Sequence, residues 1–162
     1  MVEQIMSKPV SSMLLGNAEA KTCYYLPNAP TLPLGWSYRQ ADAAATLIAL
    51  NGNHWRKILT IMAKLSAPDD DWKNYRDTQL LKRDEQILIG ASRLSSTPER
   101  HIIVGAVSAA KLNINSTNTL FNRLDEQDRL HANGLGVFIS PYLDYRQFPN
   151  SLIEQLKPYL NQ

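Results

Sequence analysis

The stretch Leu135–Tyr142, with the sequence LGVFISPY, decides the fold that we predict for this chain. Gly134 and Gly136 open it, Val137–Ile139 form a β-branched and aromatic run, and Ser140–Pro141 end that run. A short apolar run between turn-forming residues is typical of a buried β-strand. We therefore predict a strand over 135–139, in the interior of a sheet.

A polar loop and a helix follow this strand. The loop covers Asp144–Asn150, and Ser151 and Glu154 then have the spacing of a capping box, which predicts the start of a helix. Apolar residues between Leu152 and Leu160 recur on one face of that helix. A buried strand, a polar loop and a packed helix form the usual geometry of a ligand site in an α/β protein.

Strand and helix patterns alternate along the rest of the chain. Lys21–Leu26 and His101–Gly105 are further strand candidates. Helical patterns cover Tyr38–Leu50, Asn53–Leu65, Asp70–Asp84, Ala106–Leu112 and Leu120–Leu130. This alternation predicts an α/β fold, a three-layer sandwich whose central, mostly parallel sheet is flanked by helices. We assign residues 1–20 to an N-terminal arm and 21–162 to a single α/β domain.

Composition narrows the functional classes. The chain has 162 residues, of which 44% are hydrophobic and 20% charged, and a net charge of +2. Its apolar runs are shorter than the ~20 residues that a membrane helix needs, so we predict no membrane contact and a cytoplasmic location. Cys23 is alone and the three histidines lack metal-ligand spacing, so we predict no metal. Phosphate-binding glycine motifs are also missing from the sequence, so we predict no cofactor.

Aromatic and polar side chains cluster after the last predicted strand. Tyr142, Tyr145 and Arg146 lie in the loop that follows Ser140, where aromatic rings beside an arginine can stack on a base. The alternative is that these side chains only hold the loop against the last helix. His54, in the first turn of a predicted helix after an Asn-Gly turn, is a further candidate for ligand contact.

Three segments carry a resemblance to a known family. They are GNHWRKIL at Gly52–Leu59, IIVGAVSAA at Ile102–Ala110 and VFISPYLDYRQF at Val137–Phe148. Their succession over Tyr24–Leu160 resembles the uracil-DNA glycosylase superfamily, in particular its mismatch-specific and hypoxanthine-type members. The resemblance implies an α/β fold and, if the protein is active, hydrolysis of an N-glycosidic bond to a flipped base.

The same resemblance assigns roles to residues. Asn28, in the loop after the first predicted strand, takes the place of the residue that holds the attacking water. Ser140 and Tyr142 replace the family's His-Pro-Ser string, so Arg146 or backbone N–H groups are left to stabilise the leaving base. His54 stands where the family has Phe. The predicted site lies between the loops Pro27–Gly35 and Ser140–Phe148.

Two functions of different classes remain open at this stage. The first is a glycosylase-like domain that binds single-stranded DNA or a nucleobase ligand with little or no catalysis. The second is a non-enzymatic protein on the same scaffold that acts through protein contacts or as a homo-oligomer. The sequence lacks a pair of ionisable residues with catalytic spacing, which favours the second. A concave, positively charged cleft would support the first, and a flat apolar patch the second.

Overall fold

The structure is a computed structural model that describes residues 12–161. Within this range the chain forms an α/β fold with one seven-stranded sheet and five helices. The strands are β1 Met13–Gly16, β2 Thr22–Leu26, β3 Glu85–Ile89, β4 Arg100–Val104, β5 Asn122–Arg123, β6 His131–Ala132 and β7 Val137–Ser140. The helices are α1 Ala43–Asn51, α2 Asn53–Ser66, α3 Trp72–Thr78, α4 Gly105–Lys111 and α5 Asn150–Leu160.

The sheet is mixed, with the strand order β1-β3-β2-β4-β7-β6-β5. The four central strands β3, β2, β4 and β7 are parallel, whereas β1 at one edge and β6 and β5 at the other pair antiparallel. The prediction of a mostly parallel sheet is therefore wrong outside the centre. A short turn over 133–136 joins β6 to β7, and so short a connection permits only antiparallel pairing.

The three strands that carried the fold prediction are confirmed in type and lie side by side. β4 pairs with β2 through Tyr24 and Ile102, and with β7 through Ile102 and Phe138. Only their bounds shift by one or two residues, since Gly105 begins α4 and β7 starts at Val137. Apolar runs identified these strands because all three are buried.

Two separate groups of core residues follow the alternation of side chains along each strand. On β2, Tyr24 and Leu26 belong to a large cluster with side chains of α1, α2 and α5. Cys23 and Tyr25 belong to a smaller cluster, against which Ala109 of α4 packs. Helix α2 matches its prediction closely, and its Trp55 is only 3% exposed, so this side chain lies in the core.

The N-terminal arm needs correction where the structure describes it. Met13–Gly16 of the predicted arm form strand β1, which pairs with β3, and Leu15 is buried. The reason is that β3 would otherwise present an open edge, and β1 supplies hydrogen-bond partners along it. The part of the arm at residues 1–11 lies outside the described residues.

The predicted helix over Leu120–Leu130 is wrong, because Asp125 organises this segment as a loop between β5 and β6. Its buried carboxylate accepts hydrogen bonds from the backbone N–H groups of Gln127, Arg129 and Leu130. An aspartate that bonds to nearby backbone competes directly with the helical hydrogen-bond pattern. The regular spacing of the leucines therefore predicted a helix that does not form.

Three other helices differ from their predicted bounds. Helix α1 begins at Ala43 and not at Tyr38. Helix α5 begins at Asn150 after Pro149, two residues too early for Ser151 to be its N-cap, so the capping box does not form. The helix predicted over Asp70–Asp84 is confined to α3, and the chain then turns through Leu81, whose φ of 72° leaves the helical region.

A buried carboxylate lies at the amino-terminal edge of the parallel strands. Glu85 is 2% exposed, and it accepts hydrogen bonds from the Tyr75 hydroxyl at 2.6 Å and from the Leu81 N–H at 3.3 Å. Burial raises the pKa of Glu85 from 4.5 to about 7, and the nearby Asp84 adds to the increase. The folded protein therefore holds this proton more tightly than the unfolded chain.

This pKa predicts that stability falls as the pH rises from about 4.5 to about 7. The unfolded carboxyl ionises first, so folding must take up a proton within that window, and the cost above it is about 3 kcal/mol. Glu85→Gln removes this dependence and retains hydrogen-bonding groups toward Tyr75 and Leu81. Urea unfolding from pH 5 to pH 8 should show a smaller loss of stability for the variant, and equal losses would contradict the prediction.

Two glycines in the turn before β7 provide a matched test of close packing. Both Gly134 and Gly136 have positive φ, but a side chain at 136 would overlap the Glu99 carbonyl oxygen, whereas position 134 faces open space. Gly134→Ala should cost about 1 kcal/mol of backbone strain. Gly136→Ala should cost about 1–3 kcal/mol more, from the overlap. Similar urea midpoints for the two variants would show that β4 and the turn are not in close contact.

Candidate functional site

A cavity of about 680 Å³ lies beyond the carboxyl ends of β4 and β7. One wall is formed by α4 and the loop that follows it, and the other by the end of β7 and the segment around Arg129. Its polar side chains include Asn113, Asn115, Ser116, Arg129, His131 and Ser140. The space is therefore open to a ligand that makes hydrogen bonds as well as apolar contacts.

The strand order places this cavity beside, and not at, the reversal of the sheet. From β2 the chain crosses to β3 on one side, and from β3 it returns to β4 on the other side, so the reversal lies between β2 and β4, where a ligand site is usual in open α/β sheets. No described residue of β2 or of the loop after it lines the cavity, which opens instead between α4 and the end of β7. Gly105 follows β4 directly and has a φ of +81°. Because glycine has no side chain, the ring of Tyr142 can lie close to the Gly105 backbone.

Tyr142 and His54 form a polar aromatic pair beside the cavity. The Tyr142 hydroxyl lies 2.8 Å from His54 Nε2, and the two rings stack with centroids 5.7 Å apart. Tyr142 is half-buried and lines the cavity, whereas His54, at the start of α2, is exposed outside it. Burial raises the pKa of the Tyr142 hydroxyl, so this group stays neutral and able to donate.

Arg129 lines the cavity from the loop that Asp125 organises, and His131 lines it from the start of β6, directly after that loop. The Arg129 guanidinium donates a hydrogen bond to the backbone carbonyl of Gln147. The His131 ring bonds through Nε2 to Asp128 Oδ1 at 2.8 Å, and its buried Nδ1 has no hydrogen-bond partner among the described residues. The loop and the start of β6 thus present a cation and an imidazole beside the end of β7.

The structure brings together three of the six residues that the sequence suggested. Ser140 and Tyr142 line the cavity, and His54 contacts Tyr142. Ser140 is buried, and its hydroxyl donates to the Pro141 carbonyl at 2.9 Å. Ser140 and Tyr142 line the cavity because they lie at and just after the end of β7, the strand that the sequence located correctly.

The other three residues lie elsewhere on the surface. Asn28, Tyr145 and Arg146 are exposed, and none of them lines the cavity. The Tyr145 ring lies 5.7 Å from Lys57 Nζ, and the Arg146 N–H donates to Asp144 Oδ1 at 3.0 Å. The predicted site between the loops 27–35 and 140–148 is thus formed differently, because the cavity uses the second loop together with α4. Roles for these three residues in ligand binding stay predictions.

Sequence reasoning missed Arg129, His131, Asn113 and Asn115. The first two lay in or beside the segment that was predicted to be helical, so no loop was expected there. Asn113 and Asn115 lie in the Asn-rich segment 113–119, and its polar composition after a strand and a short helix was the available signal.

The described residues contain no cluster of three or more His, Cys, Asp or Glu side chains that could hold a metal ion. Across the same part of the chain, every helix is too short or too polar to cross a membrane. The polar groups of the described residues that line the cavity are amides, hydroxyls, one imidazole and one guanidinium.

Comparison with known protein families matches most of the chain. Residues 13–161 match the model of a family described as "Family of unknown function (DUF6942)". No curated protein and no solved structure matches the chain.

Proposed function

Because the chain belongs to the DUF6942 family, a family of unknown function, we propose its function from its own geometry. The protein binds a nucleobase-containing ligand in the cavity beyond β4 and β7, with little or no hydrolysis. The observation that carries this proposal is the cavity itself, because the Tyr142 ring and a set of polar side chains line the same space. The sequence resemblance to the uracil-DNA glycosylase superfamily suggests the same class of ligand.

The size and the lining of the cavity suit such a ligand. Its volume of about 680 Å³ lies within the range of small-molecule sites, about 300–1,000 Å³. Asparagine side chains both donate and accept, so Asn113 and Asn115 can pair with the polar edge of a base. Tyr142 offers a ring on which a base can stack.

The position of Asn28 supports binding over hydrolysis. Cleavage of an N-glycosidic bond needs a group that holds and activates water at the sugar. The resemblance assigns this task to Asn28, which is exposed outside the cavity. We therefore propose a binding protein in which glycosylase turnover is low or absent.

Two finer statements about the protein belong with this proposal. We infer a three-layer arrangement, and the two core clusters, which divide the alternate residues of β2, support it. We also infer a cytoplasmic location, which agrees with a single, buried and unpaired cysteine.

Tyr142→Ala should weaken the binding of nucleosides and short oligonucleotides by about tenfold or more, because a stacked base contributes about 1–3 kcal/mol. Isothermal titration with adenosine, uridine and a single-stranded oligonucleotide at low salt measures this. Tyr159→Ala is the matched control, since Tyr159 is also partly exposed but lies outside this cavity. Absence of binding to the wild type would exclude the proposal, and equal losses in both variants would exclude this site.

The predicted contribution of Arg146 needs its own test. Arg146 is exposed beyond the cavity, where it could meet only the part of a strand that extends outside. Arg146→Ala should therefore weaken the binding of an oligonucleotide and reduce the salt dependence of that binding, while nucleoside binding stays unchanged. Equal effects on both ligands would place Arg146 in direct contact with the base.

A second candidate function rests on an exposed apolar surface. Leu135 is 84% exposed beside a separate cavity of about 510 Å³, which Leu124, Phe138 and Tyr159 also line. Such a patch favours protein contact, here between two copies of the chain. Leu135→Asp should then convert a dimer to a monomer in light scattering, whereas Leu34→Asp, at another fully exposed leucine, should not. A wild type that is monomeric at all concentrations would exclude this function.

A further inference from the structure

The cavity has a single fixed charge in its described lining, and that charge is positive. Among the described residues that surround the space, Arg129 is the one Lys, Arg, Asp or Glu. We propose that Arg129 binds a phosphate group, so that the ligand is a nucleoside phosphate and not a free base or nucleoside. This inference rests on the proposed function and specifies the class of ligand for the same site.

The backbone holds Arg129 in place before any ligand arrives. Asp125 accepts the N–H groups of Arg129 and Leu130 at 2.8 and 2.7 Å, which fixes the path of the loop. The guanidinium in turn donates to the carbonyl of Gln147, on the segment after β7. A guanidinium has five N–H donors in a planar fork, so others remain available for two phosphate oxygens. The arginine is thus oriented in advance.

The neighbouring carboxylates do not neutralise this arginine. Asp125 is buried, and its oxygens accept three backbone N–H groups, including that of Gln127. Asp128 bonds to the His131 ring through Oδ1. Neither carboxylate forms an ion pair with Arg129 in the described structure. The positive charge therefore faces a cavity whose other walls are uncharged, where an anion would be attracted strongly.

His131 supplies a second, independent observation at the same place. Its side chain is 9% exposed, it lines the cavity, and its Nδ1 has no hydrogen-bond partner among the described residues. A buried polar atom without a partner costs free energy and commonly marks a site for a missing ligand or water. The imidazole ring thus places a polar group beside Arg129 at the wall of the cavity.

The Asn115–Ser116 segment completes the polar surroundings of the cavity. Asn115 Oδ1 accepts the N–H of Thr117, which fixes the turn and leaves the amide Nδ2 as a donor. The Ser116 hydroxyl lines the same space. These donors face a cavity that also contains Asn113, so a phosphate at Arg129 leaves amide groups for the base.

The test compares each nucleoside with its own phosphate at constant ionic strength. Isothermal titration uses adenosine and uridine against their 5′-monophosphates, and a tetranucleotide with a 5′-hydroxyl against the same one with a 5′-phosphate. The phosphate should improve affinity at least tenfold in the wild type. A gain with both pairs means that free nucleotides and strand ends share the site, and a gain with monophosphates alone identifies free nucleotides.

Variants locate the phosphate. Arg129→Gln should make the affinities for nucleotide and nucleoside nearly equal. Arg129→Lys keeps the charge but not the planar fork of donors, so it should leave an intermediate gain in affinity from the phosphate. Arg123→Gln, an equal change of charge on exposed β5, should retain the full gain. Circular dichroism checks that each variant folds, and if Arg129→Gln does not, Arg129→Lys alone decides the question.

The possible failures are distinguishable. Equal affinity of the wild type for nucleoside and nucleotide would overturn the phosphate inference and leave the proposed function intact. No affinity for either would overturn both. The inference would also be overturned if Arg123→Gln and Arg129→Gln both abolished the gain in affinity from the phosphate. That gain would then depend on the net charge of the protein and not on this cavity.

Discussion

The structure depends on the position of β4 between two parallel partners. β2 pairs with it on one side and β7 on the other, and Ile102–Val104 are fully buried between them. Parallel pairing aligns the carboxyl ends of the three strands at one edge of the sheet. The loops after these strands are therefore neighbours, and each side chain of the candidate site is positioned relative to that edge.

The antiparallel extension beyond β7 adds what parallel pairing alone does not provide. β6 pairs with β7 through His131 and Ile139, which sets His131 beside the end of β7. Asp125 shapes the preceding loop and thereby fixes Arg129 on the same side. One buried carboxylate and one short hairpin thus convert an apolar sheet edge into a cavity with a positive charge.

The sequence predicted the parts of the fold in which side-chain pattern and burial agree. Val137–Ile139 has the apolar run of a strand buried on both faces, and α2 has the periodicity of a helix with one apolar face. Ser140 and Tyr142 were found because the site follows the end of a strand. The antiparallel edges were missed because strands of two to four residues carry too little pattern.

Arg129 and His131 could not be found in the same way. The leucines between 120 and 130 match helical spacing, and only the three hydrogen bonds to Asp125 reveal a loop. Such bonds depend on backbone geometry that residue type does not specify. Asn28 was chosen through a resemblance, and its place outside the cavity shows why a role must be tested at the residue itself.

Backbone amide chemical shifts during a titration test most directly where a ligand binds. The uniformly ¹⁵N-labelled protein is titrated with adenosine or uridine 5′-monophosphate at fixed ionic strength. Binding in the cavity predicts that the largest shift changes occur at 113–116, 129–131 and 140, on both walls of the space. The largest changes at Asn28, or around Lys57 and Tyr145 on the outer surface, would contradict this location, as would a spectrum that does not change.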